Sequence, residues 1–183
     1  MTPRLRRLAL TAHVASSVGW LGAVASFLVL ALAGQDPAMD LVARFVVVPL
    51  ALGSLATGVV SSLGTSWGLF RHYWVVAKLA LTVVATAVLL TKLPVIRLLA
   101  RGAEASGARL SMVVHAGGGL VVLLVATVLG IYKPRGLTPY GRRKEPGSDA
   151  GTPGWVRASG FVVAALVALR LLLHLAGHGP HGH

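Results

Sequence analysis

The chain contains no cysteine. Disulfides, thiolate metal sites and c-type haem attachment are therefore excluded. Acidic residues are almost as scarce. There are five in 183 residues: Asp36, Asp40, Glu104, Glu145 and Asp149. All five lie outside the long apolar runs. Inside those runs there is no carboxylate for a proton relay, a hard-cation site or the acidic member of a Ser-His-Asp set. No phosphate-binding loop or dinucleotide fingerprint is present. Gly117–Gly119 forms a GGG triplet, but it sits inside an apolar run and not between a strand and a helix. Charged residues make up 12% of the chain, where soluble domains carry about a quarter.

What remains is apolar and basic. Hydrophobic residues make up 55%, the mean hydropathy is +0.77 and the formal net charge is +12. A surplus of that size raises the question of nucleic acid. Here the bases sit in short loops flanking apolar runs and not on an aromatic-interleaved face, so nucleic acid is not an expected partner. Bases at the ends of spans are the positive-inside signature of a membrane protein.

Five segments are long enough to cross about 30 Å of hydrocarbon, which takes about 20 helical residues. They run over about 8–33, 45–63, 73–93, 110–132 and 156–176. The expected fold is all-α: a polytopic membrane protein with five transmembrane helices in one bundle spanning 1–176. Arg4, Arg6 and Arg7 precede the first run as they would in a signal peptide. That run is too long for a signal h-region and reads as a retained first span. The turn Gly34–Pro37 ends it, and Pro94 and Pro134 are expected to stop the third and fourth spans. Ile96, Leu98 and Leu99 suggest a short interfacial helix after Pro94. Residues 133–154 read as a polar, Pro/Gly-rich loop, and 177–183 as a His-rich tail.

Orientation follows from loop charge. With the N-terminus in the cytoplasm, ten bases lie inside: Arg4, Arg6, Arg7, Arg71, Lys133, Arg135, Arg142, Arg143, Lys144 and Arg157. Five lie outside: Arg44, Lys92, Arg97, Arg101 and Arg109. The N-terminus is therefore expected in the cytoplasm, the 133–154 loop on the same side, and the protein in a plasma membrane.

The runs contain polar residues that need an explanation. A cation in hydrocarbon costs about 2.5–3.5 kcal/mol on insertion scales. His13, Ser16, Ser17 and Trp20 share one face of the first helix at i, i+3, i+4, i+7, and Lys78, Thr82 and Thr86 follow i+4 steps along the third. His13 and Lys78 fall at similar depth, with His72 at the end of the third span. His115 in the fourth span and Arg170 with His174 in the fifth form a second group. Gly118 and Gly119 stand at i+3 and i+4 from His115, leaving a notch that suits a flat cofactor or a closely packed helix. Two readings stay open for each residue. Lys78 and Arg170 either snorkel to headgroups or meet an anion. The histidines either hydrogen-bond a neighbouring helix or ligate. In the tail, His178, His181 and His183 are candidate ligands for a transition metal.

At these residues the chain resembles known families. The pattern H-x6-W-x-G (His13, Trp20, Gly22), within AHVASSVGWLGAVASFL, is similar to the first helix of the copper-resistance protein D family and of HemJ-type bacterial protoporphyrinogen oxidases. HYWVVAKLALTVV, with Lys78, resembles the Y-x-x-x-x-K-L segment of the same proteins. SLGTSWGLFRHYWVVAKL, HAGGGL and YKPRGLTPYG look similar to an uncharacterised actinobacterial integral-membrane family. The HemJ-type resemblance implies haem b ligated by His13 and a required role for Lys78. The copper-family resemblance implies metal handling at His13. The chain departs from both. Its three methionines, Met1, Met39 and Met112, do not make an intramembrane Cu(I) site.

The function expected from these features is a non-catalytic membrane subunit or accessory protein, partnered by the bilayer and by other membrane subunits or copies of itself. Haem b or a transition metal is the candidate cofactor. For haem, the expected pairs are His13 with His72 and His115 with His174, and Lys78 and Arg170 would meet the propionates. A permease for a metal or small anion and a HemJ-like haem oxidoreductase are the alternatives.

Overall fold

A computed structural model of the chain describes residues 2–64, 69–102, 107–134 and 136–143. The fifth apolar run lies outside these residues, as do Arg170, His174, His178, His181 and His183.

The fold is all-helical. Among the described residues, four helices are long and apolar enough to cross a membrane: Pro3–Leu32, Asp36–Leu63, Tyr73–Ala100 and Ala108–Tyr132. In chain order they are the first to fourth spans. A one-turn helix, Pro139–Arg143, follows. The first span packs against the second and the fourth, and the third packs against the second and the fourth. Their directions alternate, so the starts of the second and fourth spans share one end of the bundle with the ends of the first and third.

Local chemistry explains each boundary. Pro3 opens the first span behind Thr2, whose hydroxyl accepts the Leu5 N–H. Gly34, at φ 67°, turns the chain, and Asp36–Pro37 begin the next helix. A left-handed residue is the common way to end a helix, and glycine adopts it without strain. The second span thus starts well before Phe45, the start expected from the apolar pattern. Its helix is unbroken because a π turn, Ala43–Val47, absorbs Pro49. That residue has no N–H for the carbonyl four back. Val48 N–H bonds Ala43 O five back instead. The fourth span ends at Lys133, held in the left-handed region at φ 44°, with Pro134 next.

Pro94 does not stop the third span, which continues to Ala100. An interior proline costs about 3 kcal/mol. The span's 28 residues reach roughly 42 Å, so its last turns lie beyond the length that crossing a bilayer takes. There Ile96 and Leu99 are buried beside Met39. Removing each from a wet interface contributes about 1.5–3 kcal/mol. The two together offset the proline. The segment after Pro94 is therefore part of the span and not a separate interfacial helix.

The core runs along the bundle axis through Trp20, Val24, Phe27, Met39, Ile96, Met112 and Leu123. Outside it the spans are apolar and uncovered. At most 28% of any span's most apolar stretch is buried, and Phe45 and Ile131 are 73% and 69% exposed. A surface of that kind needs an apolar surrounding. Several hydroxyls of the spans are satisfied inside their own helices, as suits water-free surroundings. Ser26, Ser62, Thr82, Thr86 and Thr127 each donate to the carbonyl four residues back.

The loop expected over 133–154 is ordered in its first part. Thr138 N–H donates to Arg71 O (3.0 Å), Tyr73 N–H donates to Gly136 O (3.3 Å), and His72 and Leu137 form an isolated antiparallel bridge. The Thr138 hydroxyl donates to Phe70 O and accepts the Gly141 N–H. These bonds tie the chain before the third span to the chain after the fourth. Gly141 is buried against Arg71, where a Cβ would collide with the Arg71 carbonyl.

Candidate functional site

One polar cluster receives a residue from each of the four spans. His13 enters from the first. Its Nδ1–H donates to the Ser54 carbonyl of the second span at 3.0 Å, with Thr57 Oγ1 at 3.3 Å. A carbonyl can only accept, so Nδ1 carries the proton and Nε2 is left as an acceptor. Lys78 Nζ of the third span donates to Nε2 at 3.3 Å. Gly130 of the fourth span lies against Nζ, and a Cβ there would stand 3.2 Å from it.

The first and second spans come close enough for this because small residues line their seam. Gly53 faces Ser16, and Gly58 faces the imidazole, where a Cβ would stand 3.0 Å from Cε1. Ser17 and Ser54 share a hydrogen bond of 2.7 Å, and Thr57 donates to Gly53 O. Ser54 is buried, while His13 and Lys78 are half-buried.

The Lys78 ammonium has three N–H bonds. Among the described residues its hydrogen-bond partner is His13, and no carboxylate reaches it. Both described acids are engaged elsewhere. Asp40 holds Arg44 at 2.8 Å and Asp36 holds Arg109 at 2.7 Å, at the opposite end of the bundle.

Trp20 is buried in the core, about two turns from His13. Thr82 and Thr86 share the Lys78 face, but their hydroxyls donate to their own helix. His72 caps the third span, six residues before Lys78, within the tie to Leu137. His115 lies far from the cluster. Gly119 meets Val24. At 1.5 Å per helical residue, that contact places His115 roughly 20 Å along the axis from His13. Its Nδ1–H donates to Ser111 O, one turn back in its own helix, at 2.6 Å. Of the two glycines of the notch beside His115, Gly118 faces open space among the described residues, and Gly119 packs on Val24. The structure thus brings His13 and Lys78 together and sets His115 apart. Arg170, His174 and the tail histidines lie outside the described residues.

Sequence reasoning missed Ser54, Thr57, Gly58 and Gly130 as members of the cluster. The second span was legible as rich in small residues. That its Ser54 carbonyl would receive an imidazole had no signal, because any residue type offers a carbonyl.

The arrangement does not fit haem ligation by His13. One ring nitrogen is bound to Ser54, and the other, which would bind iron, faces a cation. Gly58 packs against the Cε1 edge of the ring. Among the described residues no group of three or more His, Cys, Asp or Glu stands together to hold a metal. Comparison with protein-family models, curated proteins and solved structures finds no match to this chain.

Proposed function

We propose that this chain is a multi-pass protein of the bacterial plasma membrane, with its N-terminus in the cytoplasm, working as a non-catalytic membrane subunit or accessory protein. The observation that carries this reading is the closed His13–Lys78 pair. The imidazole has both ring nitrogens committed inside the bundle, so its role is to join three helices and accept from a lysine that has no described carboxylate. The loop-charge asymmetry supports the orientation. The bare apolar flanks support burial in lipid or against another membrane subunit.

Affinity capture of the full chain in mild detergent tests the role. A stoichiometric partner or a defined oligomer is expected, and a lone monomer overturns the reading. The visible spectrum of protein from haem-replete cells tests the cofactor. No Soret band is expected, and a band abolished by His13→Ala would replace this proposal with a haem protein.

A second reading rests on Lys78. Two of its N–H bonds find no acceptor among the described residues, which suits a small anion passing the pair. Anion uptake into proteoliposomes that Lys78→Met abolishes would favour a permease; uptake indifferent to that change removes it.

A further inference from the structure

The end of the bundle that holds the His13–Lys78 pair is basic throughout. Arg4, Arg6 and Arg7 open the first span there, Arg71 precedes the third, and Lys133, Arg142 and Arg143 follow the fourth. Both described carboxylates, Asp36 and Asp40, are at the other end, each holding an arginine. Seven described bases thus gather at one end of the bundle, and both described acids at the other.

Two features make this more than a count of loop charges. The first is order. The tie between residues 70–73 and 136–141 fixes the short helix Pro139–Arg143 against Arg71, with Gly141 buried on the Arg71 backbone. The backbone that carries Arg142 and Arg143 is therefore held against the backbone of Arg71. The second is depth. Phe70, Tyr132 and Tyr140 are 57%, 78% and 54% exposed at this same end. Exposed aromatics at the end of an apolar bundle mark headgroup level. The first span exposes Leu5 and Leu8 among its arginines at the same end. Cations and aromatics therefore stand together there, beside aliphatic side chains. The guanidinium fork matches a phosphate diester in charge and geometry.

We infer that this end is a binding surface for anionic phospholipid headgroups, with Arg142 and Arg143, ordered beside Arg71, as its central contacts. The inference rests on the reading that the spans cross a membrane, and goes beyond it by naming the lipid class and the residues.

The full chain, solubilised with equimolar phosphatidylglycerol and phosphatidylcholine of the same acyl chains, can be assayed for retained lipid by native mass spectrometry. Preferential retention of the anionic lipid is expected. Arg142→Gln/Arg143→Gln should lower that preference roughly tenfold. The far-end pair Arg97→Gln/Arg101→Gln should leave it unchanged. Equal retention of both lipids overturns the inference. An equal loss in the two double variants overturns it too, since any surface charge would then do. Millimolar inorganic phosphate should not displace the lipid; if it does, the ligand is free phosphate and the assignment to lipid fails. Helical circular dichroism checks that both variants fold. Alkaline carbonate extraction separates the two readings: a protein released into the supernatant does not span the membrane, whereas one retained there without lipid preference refutes only the lipid inference.

Discussion

At the end where the second span begins, Asp36 takes Arg109, Asp40 takes Arg44, and Met39 and Ile96 are almost fully buried between helices. At the end where the first span begins, Lys78 takes an imidazole, and Arg4, Arg6, Arg7, Arg71, Lys133, Arg142 and Arg143 gather at that same end. One end pairs two of its arginines, Arg44 and Arg109, with carboxylates and packs apolar side chains beside them. The other joins its helices through polar side chains and concentrates positive charge. The stability of the two ends therefore resides in different contacts. The acidic end depends on packing and is little affected by its ion pairs. The basic end depends on a few hydrogen bonds and close glycine contacts.

The strongest challenge to that contrast is Ile96→Ala, at a site that is 1% exposed. It opens a cavity in the packed end and should cost about 2–4 kcal/mol in thermal or denaturant unfolding in detergent. A cost near zero would mean that the helix beyond Pro94 is not held by its burial. His13→Ala should follow, at about 2 kcal/mol, the scale of a polar group left without its partner in a half-buried pair. It takes the acceptor from Lys78 and the donor from Ser54 O. Lys78→Met removes the cation and should be neutral or stabilising, and the double variant should recover most of the His13→Ala loss. If Lys78→Met is as damaging as His13→Ala, the lysine serves something beyond the pair.

Gly141→Ala places a methyl against the Arg71 carbonyl. It should cost about 1–3 kcal/mol, the usual range for overpacking. Its effect should be local, read as faster proteolysis near residues 134–143 with the four spans intact. The smallest effect expected is that of Asp36→Asn, below about 1 kcal/mol and fading with salt, as for other exposed ion pairs. Its partner Arg109 has a side chain 55% exposed. A larger, salt-independent loss would show that the acidic end depends on its ion pair after all.

The helical class, the apolar spans and the scarcity of internal acid were legible in the residues. Length and hydropathy act along the chain, and a run of about 20 apolar residues has few alternatives to a helix in lipid. The boundaries were less so. Pro94 reads as a stop by local rule, and only the burial of Ile96 and Leu99 carries the helix past it. The loop 133–154 reads as polar and irregular, yet Thr138 and Gly141 tie its first part to Phe70 and Arg71, on the far side of two spans. In the candidate cluster the types and depths of His13 and Lys78 could be read, but the azimuth of each helix could not.

Composition and order along the backbone suffice for an all-helical chain with long apolar spans, a basic balance, and imidazole and ammonium groups set among apolar residues without neighbouring carboxylates. They do not say which of those groups meet. That His13 reaches Ser54 and Lys78, and that Gly58 and Gly130 close around them, appears only in the folded bundle. So does the separation of His115 from His13, roughly 20 Å along the axis. The rotation and register of one helix against another come from the packing of small residues at each seam, and that packing exists only once the helices have come together.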